Sequence, residues 1–126
     1  MRMKLLTHNL LRSRVKGAAK GYPLAIHATT VETKEADFNP TFIVRMLDRI
    51  QWPVVVQAAS QVGVSEDKVP QTVPNDPESD QEFLKAAHHL LLEIEVIEGE
   101  LECPDTGRAF PIKRGIPNML LNEDEV

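Results

Sequence analysis

Cysteine is almost absent: Cys103 is the only one in 126 residues. A single thiol forms no internal disulfide and builds no all-cysteine zinc cage within one chain. Long apolar runs are missing too. Stretches such as Val54–Val56 and Met119–Leu121 fall far short of the roughly 20 residues a membrane helix needs. Positive charge is not in excess: 14 Lys+Arg stand against 19 Asp+Glu, a net charge of −5. Phosphate contacts supply most of the affinity of a free-standing nucleic-acid binder, so strong RNA or DNA binding by this chain alone is disfavoured. The Asn39-Pro40-Thr41 triplet has proline at its centre and is no glycosylation acceptor. Nothing points to secretion, and a reducing compartment is expected.

What is present is ordinary globular composition, 42% apolar and 26% charged, enough for one packed domain or a small domain carrying an insertion. The charge is unevenly placed. Arg2, Lys4, Arg12, Arg14, Lys16 and Lys20 precede the first acid, Glu32, whereas Glu93, Glu95, Glu98, Glu100, Glu102 and Asp105 cluster late. An Arg-rich, acid-poor opening also marks mitochondrial transit peptides, but those are Ser-rich and this opening has only Ser13. The preferred reading is an opening strand that pairs with the acidic late segment.

Local patterns predict strands over Lys4–Leu11 and Leu24–Val31. Asn39-Pro40 starts a helix, with Asn as cap and Pro in the first turn. Phe42, Ile43, Met46, Leu47 and Ile50 share its inner face. Pro53 opens a second helix ending at Gly63, and Val64–Pro77 reads as an exposed loop. Ser79 and Glu82 have capping-box spacing before a third helix. From Leu92 the period changes to two, with Glu93 and Glu95 facing out. Gly99 is read as a turn. Leu101–Cys103 and Ala109–Ile112 flank a hairpin turn at Pro104-Asp105-Thr106-Gly107. The apolar segment Ile116–Leu121 reads as a terminal edge strand. The order is α+β: a small antiparallel β-domain from both chain ends (1–37 and 90–126) with an inserted three-helix domain (38–89).

No phosphate loop, nucleophile elbow, paired-histidine motif or strand–GxGxxG–helix unit occurs. His88 and His89 are adjacent on a helix and point apart; His8 and His27 lack carboxylates nearby in sequence. All four read as structural. Cys103 sits among acids, which would raise its pKa and quench reactivity. An independent enzyme is not expected. Cys103-Pro104-Asp105-Thr106-Gly107 has the form of a zinc-ribbon knuckle with its second thiolate replaced by Thr106. Ile116, Met119, Leu120 and Leu121 crowd six residues, and an apolar edge strand needs a cover: the chain's own core or a partner.

MKLLTHNLL (Met3–Leu11), FNP (Phe38–Pro40), Trp52-Pro53, HHLLLEIEVIEGELECPDTGRAFPI (His88–Ile112) and RGIPNMLL (Arg114–Leu121) together resemble the small multifunctional methyltransferase subunit family, the tRNA-methyltransferase activators. The resemblance runs in order from Met3 almost to the end, with Met1-Arg2 preceding it. It implies a zinc-ribbon-like domain with a helical insertion. Zinc-binding members use four cysteines, whose positions fall here on Ser13, Ala18, Cys103 and Thr106, so zinc is not expected. The resemblance implies a non-catalytic subunit that forms heterodimers with several S-adenosylmethionine-dependent class I methyltransferases acting on tRNA, rRNA and a translation release factor. The cofactor then sits in the partner, RNA is met only through the partner, and the chain works in nucleus and cytoplasm. Leu6, His8, Leu10, Phe110, Ile116, Pro117, Asn118, Met119, Leu120 and Leu121 are the expected partner-binding residues, through a hydrophobic surface and β-strand addition. Lys113 and Arg114 read as solubilising charges. Two other readings stay open: a degenerate zinc-ribbon module of the transcription or ribosome machinery, and a mitochondrial matrix enzyme.

Overall fold

A computed structural model describes residues 2–126. The fold is α+β. Four strands, β1 (Ala25–Thr33), β2 (Ile94–Glu102), β3 (Ala109–Lys113) and β4 (Ile116–Pro117), form an antiparallel sheet in the order β1-β2-β3-β4. Helices α2 (Pro40–Leu47), α3 (Trp52–Gln61) and α4 (Gln81–His88) lie between β1 and β2 in sequence. The sheet is thus built from both sides of a helical stretch, and one hydrophobic cluster runs from Leu24 and Ile26 through Ile43, Val55 and Leu84 to Leu101 and Phe110.

Local chemistry places the helix starts. Asn39 accepts from the Phe42 N–H at 3.1 Å ahead of Pro40, satisfying one of the donors every helix start leaves free. Ile43 is buried on the inner side of α2, but that helix stops at Leu47, so Ile50 reaches the core from the following turn. Pro53 lies in the first turn of α3. Before α4 the cap is Asp80, which accepts from the Phe83 N–H at 3.0 Å. Ser79 instead belongs to a short 3-10 turn and donates to Asp76 at 2.7 Å. The start of α4 is therefore capped by Asp80, one residue after the expected Ser79, in place of a Ser79–Glu82 box. The 64–77 segment is less exposed than its prolines suggest: Val69 is buried, and the Trp52 indole N–H donates to the Pro70 carbonyl at 2.8 Å.

The expected opening strand is instead a short helix, α1 (Leu5–Leu10), with only Lys4 bridging to Glu95. Six residues make a marginal helix alone; tertiary bonds hold this one. Buried Asn9 donates to the Gln51 carbonyl at 3.0 Å and accepts from the Gln51 N–H at 2.9 Å and the Tyr22 hydroxyl at 3.1 Å. His8 donates from Nε2 to the Leu24 carbonyl at 2.7 Å. The anticipated attraction between basic opening and acidic late segment survives at one point. Arg2 pairs with Glu95, and Lys34 approaches the same carboxylate at 3.4 Å. Glu95 is consequently buried, against the alternation that placed it outside.

Gly99 is not a turn. It lies inside β2 opposite Ala28, beside a bulge in β1. A Cβ there would stand 2.4 Å from the His27 carbonyl oxygen, so only glycine admits this close approach. The α4 end also differs. A single wide π turn, His89–Glu93, keeps Leu90 and Leu91 buried and delays β2 to Ile94.

Candidate docking surface and degenerate metal knuckle

Ser13, Cys103 and Thr106 converge although they lie far apart in sequence. The Cys103 thiol is buried. Burial pushes its pKa up, but the Ser13 and Thr106 hydroxyls and the backbone N–H groups of Asp105 and Thr106 hydrogen-bond the sulfur and bring the net shift below the ordinary value. The expected upward shift from neighbouring acids is therefore reversed, since stabilising donors outnumber them at the sulfur. Ala18, at the remaining ligand position, is half-buried and donates its backbone N–H to the Val15 carbonyl at 3.1 Å. One thiol, two hydroxyls and a methyl do not fit zinc. A carboxylate cross-links these loops instead: Asp105 accepts from Gly21 N–H at 2.8 Å and Lys20 N–H at 3.0 Å, with Ala19 N–H adding a third donor. Those donors lower the Asp105 pKa. Gly21 is required here, because a Cβ would lie 1.9 Å from the Ser13 carbonyl oxygen.

The apolar residues of the two chain ends meet on the surface. On α1, Leu5, His8 and Asn9 face inward, which leaves Leu6 half-buried and Leu10 52% exposed. Leu10, Leu11, Arg12 and Arg14 line a groove of about 360 Å³ together with Met119 and Leu121. Leu120 is 80% exposed and Ile116 53%; Asn118 is exposed and Pro117 half-buried.

Within the expected strand 116–121, only Ile116–Pro117 pair with β3. The Asn118 N–H still reaches the Pro111 carbonyl at 2.9 Å, but the Asn118 side chain then accepts from the Leu120 N–H at 3.0 Å. That local bond takes the chain out of the ladder. β4 is therefore short, and it is the edge of the sheet. Arg108 holds the segment from behind. Its guanidinium pairs with Glu125 at 2.5 and 3.1 Å and stacks 4.8 Å over the Phe110 ring. This pairing pulls the Glu125 pKa down to about 2.

Two expected contact residues are corrected by burial. Phe110 and His8 are both 1% exposed; each anchors the surface without presenting its side chain on it. Burial also lowers the His8 pKa, against the raising effect of its Leu24 bond. His27 meets a carboxylate that sequence distance hid, Glu102 at 2.8 Å across the strands. His88 donates to the Ala36 carbonyl at 2.9 Å, and His89 lies 2.8 Å from Glu93. Arg108 and Glu125 were not singled out as contact residues by sequence reasoning, and Asp105 was read only as part of the acidic stretch and the hairpin turn. All three depend on contacts across the fold.

A family model described as Trm112p-like protein matches residues 4–115. The chain is 50% identical over 124 residues to the mouse (Mus musculus) multifunctional methyltransferase subunit TRM112-like protein, covering 98% of each chain. It is 49% identical over 126 residues to the Arabidopsis thaliana multifunctional methyltransferase subunit TRM112 homolog A, covering 98% of this chain and 100% of that one. The Saccharomyces cerevisiae subunit TRM112 is 36% identical over 132 residues, with 94% and 96% covered. Among solved structures, the fold is similar to a chain of the E. cuniculi Mtq2–Trm112 complex, described as responsible for methylating the eRF1 translation termination factor. That TM-score is 0.58 at 22% identity, with 98% of both chains covered.

Proposed function

The chain belongs to the Trm112p-like family, and from that premise we propose that it is a non-catalytic activating and stabilising subunit of several methyltransferases. The observation that carries the reading is the apolar groove between Leu10–Leu11 and Met119–Leu121, next to exposed Leu120 and the open edge of β4. A partner's edge strand adds beside β4, and its apolar surface covers Leu6, Leu10, Ile116, Pro117, Met119, Leu120 and Leu121, with Asn118 at the margin. Binding only the folded partner stabilises that partner by linkage.

The relatives' names and the complex title support methyltransferases as the partner class. Substrates of the assembled enzymes are tRNA, rRNA and a translation release factor. S-adenosylmethionine sits in the partner, RNA is met only in the complex, and the work is done in nucleus and cytoplasm. Zinc plays no part; the Cys103–Ser13–Thr106 hydrogen bonds and the Asp105 tie support that reading.

Affinity capture of the tagged chain from cytosolic and nuclear extract, with a methyl-transfer assay on the eluate, tests the proposal. The expected result is several different methyltransferases in one-to-one complexes, active together and with no activity in the chain alone. Recovery of polymerase or ribosomal subunits without any methyltransferase would overturn it and favour the interaction-module reading.

A further inference from the structure

The docking groove is lined by two segments with little regular structure to hold them. One leaves α1 at Leu11 in an extended conformation; the other, with Met119 and Leu121, follows the two-residue strand β4. Segments of that kind keep a fixed separation only where something ties them together. Glu125 bonds to both. Its backbone carbonyl accepts from the Lys16 N–H at 2.6 Å, on the continuation of the first segment. Its carboxylate accepts from the Asn122 N–H at 3.0 Å, on the continuation of the second. The same carboxylate takes Nε and Nη2 of Arg108 at 2.5 and 3.1 Å. Arg108 is itself fixed: it stacks over buried Phe110, donates to the Ala109 carbonyl and reaches the Leu120 carbonyl at 3.4 Å. Both groove segments and β3 thus meet on one residue.

Among the described residues, the neighbouring acids Glu123 and Asp124 make no ion pair, so the contact is particular to position 125. A two-pronged Arg–carboxylate contact fixes geometry more closely than a single charge pair does. A part-exposed pair nevertheless adds little to global stability. Its effect is therefore expected in the arrangement of the groove rather than in the fold.

We propose that the Arg108–Glu125 pair is a clasp that sets the docking groove before the methyltransferase arrives, with Glu125 as its positioning residue. The inference rests on the proposed function, because the groove matters only if a methyltransferase fills it. A groove already set spares the complex the entropy of ordering both segments on binding. Without the clasp that cost falls on association.

The test uses the full chain. Tagged parent chain and a Glu125→Gln variant are co-expressed with one methyltransferase of the Mtq2 class, and the ratio of the two subunits in the purified complex reads their relative affinity. The variant should keep its melting temperature and circular dichroism, show faster amide exchange at Lys16, and be under-represented about tenfold in the complex. Arg108→Gln should be under-represented to a similar degree, and the double variant no further, because either change opens the same clasp. Equal incorporation of Glu125→Gln would overturn the proposal, and so would unchanged exchange at Lys16. Losses that add up in the double variant would also overturn it, giving each side chain its own contact with the methyltransferase. A Glu125→Gln chain that melts well below the parent would make the pair a support of the fold and count equally against the clasp. Each of these outcomes leaves the proposed function standing. Failure of the parent chain to bind any methyltransferase would instead sink that underlying reading.

Discussion

Leu120 and Phe110 show how differently two apolar residues of one segment behave. Phe110 is 1% exposed beneath the Arg108 guanidinium, whereas Leu120 is 80% exposed. A charge at Leu120 meets only water in the free chain. In a complex it would be stripped of water with no counter-ion, which costs at least about 3 kcal/mol, or more than a hundredfold in affinity. Leu120→Asp should therefore keep its melting temperature and circular dichroism yet lose the methyltransferase on size-exclusion chromatography. An unfolded Leu120→Asp chain would mean that the segment is core. The apolar crowding at 116–121 was legible in sequence, because hydrophobicity and the Pro117 edge signal are local. Which residues point outward was not, because it depends on the Asn118 side chain capturing the Leu120 N–H.

At the scale of elements, the helix starts at Asn39 and Pro53 were readable because a cap acts within one turn. The α1 helix was not readable, since its short sequence is held by bonds from Asn9 to Gln51 and from His8 to Leu24. The knuckle falls between these cases. Its CPDTG turn was recognisable, but the tie to the 18–21 loop was hidden because it spans the fold. The Asp105 carboxylate ties the hairpin turn to the 18–21 loop. Asp105→Ala should lower the melting temperature and speed amide hydrogen exchange at Lys20 and Gly21. The Asp105 pKa is lowered by its N–H donors, so its contribution is fully present above about pH 4 and lost as pH falls through the lower folded-state value. The gap between Asp105→Ala and the parent chain should close over that same acid window. Equal exchange rates in both chains at pH 7 would show that the tie holds nothing.

Across the whole molecule, one ion cluster joins the opening residues, the centre of the sheet and the docking edge. Arg2 pairs with buried Glu95 and also donates to the Arg114 carbonyl at 3.0 Å. Next to it, the Met3 N–H donates to the Gly115 carbonyl at 2.6 Å, just before β4 begins at Ile116. Burial raises the Glu95 pKa, but Arg2 and Lys34 outweigh it and leave the group below its usual range. Arg2→Ala leaves that carboxylate buried with Lys34 alone, so about 2 kcal/mol of stability should be lost at pH 7, roughly an 8 °C fall in melting temperature. The depressed pKa makes this stabilisation complete above about pH 4.5, and it disappears as pH drops through the folded-state value. The difference between Arg2→Ala and the parent chain should shrink accordingly on acidification. The same substitution frees the turn that aims β4. Partner binding to the variant must first reorder this edge, so Arg2→Ala should bind its methyltransferase more weakly, and by linkage the melting gap should widen in the complex. A gap that stays constant at every pH and in every complex would mean that Arg2 acts on neither Glu95 nor the edge. The network would then be two independent contacts rather than one coupled support.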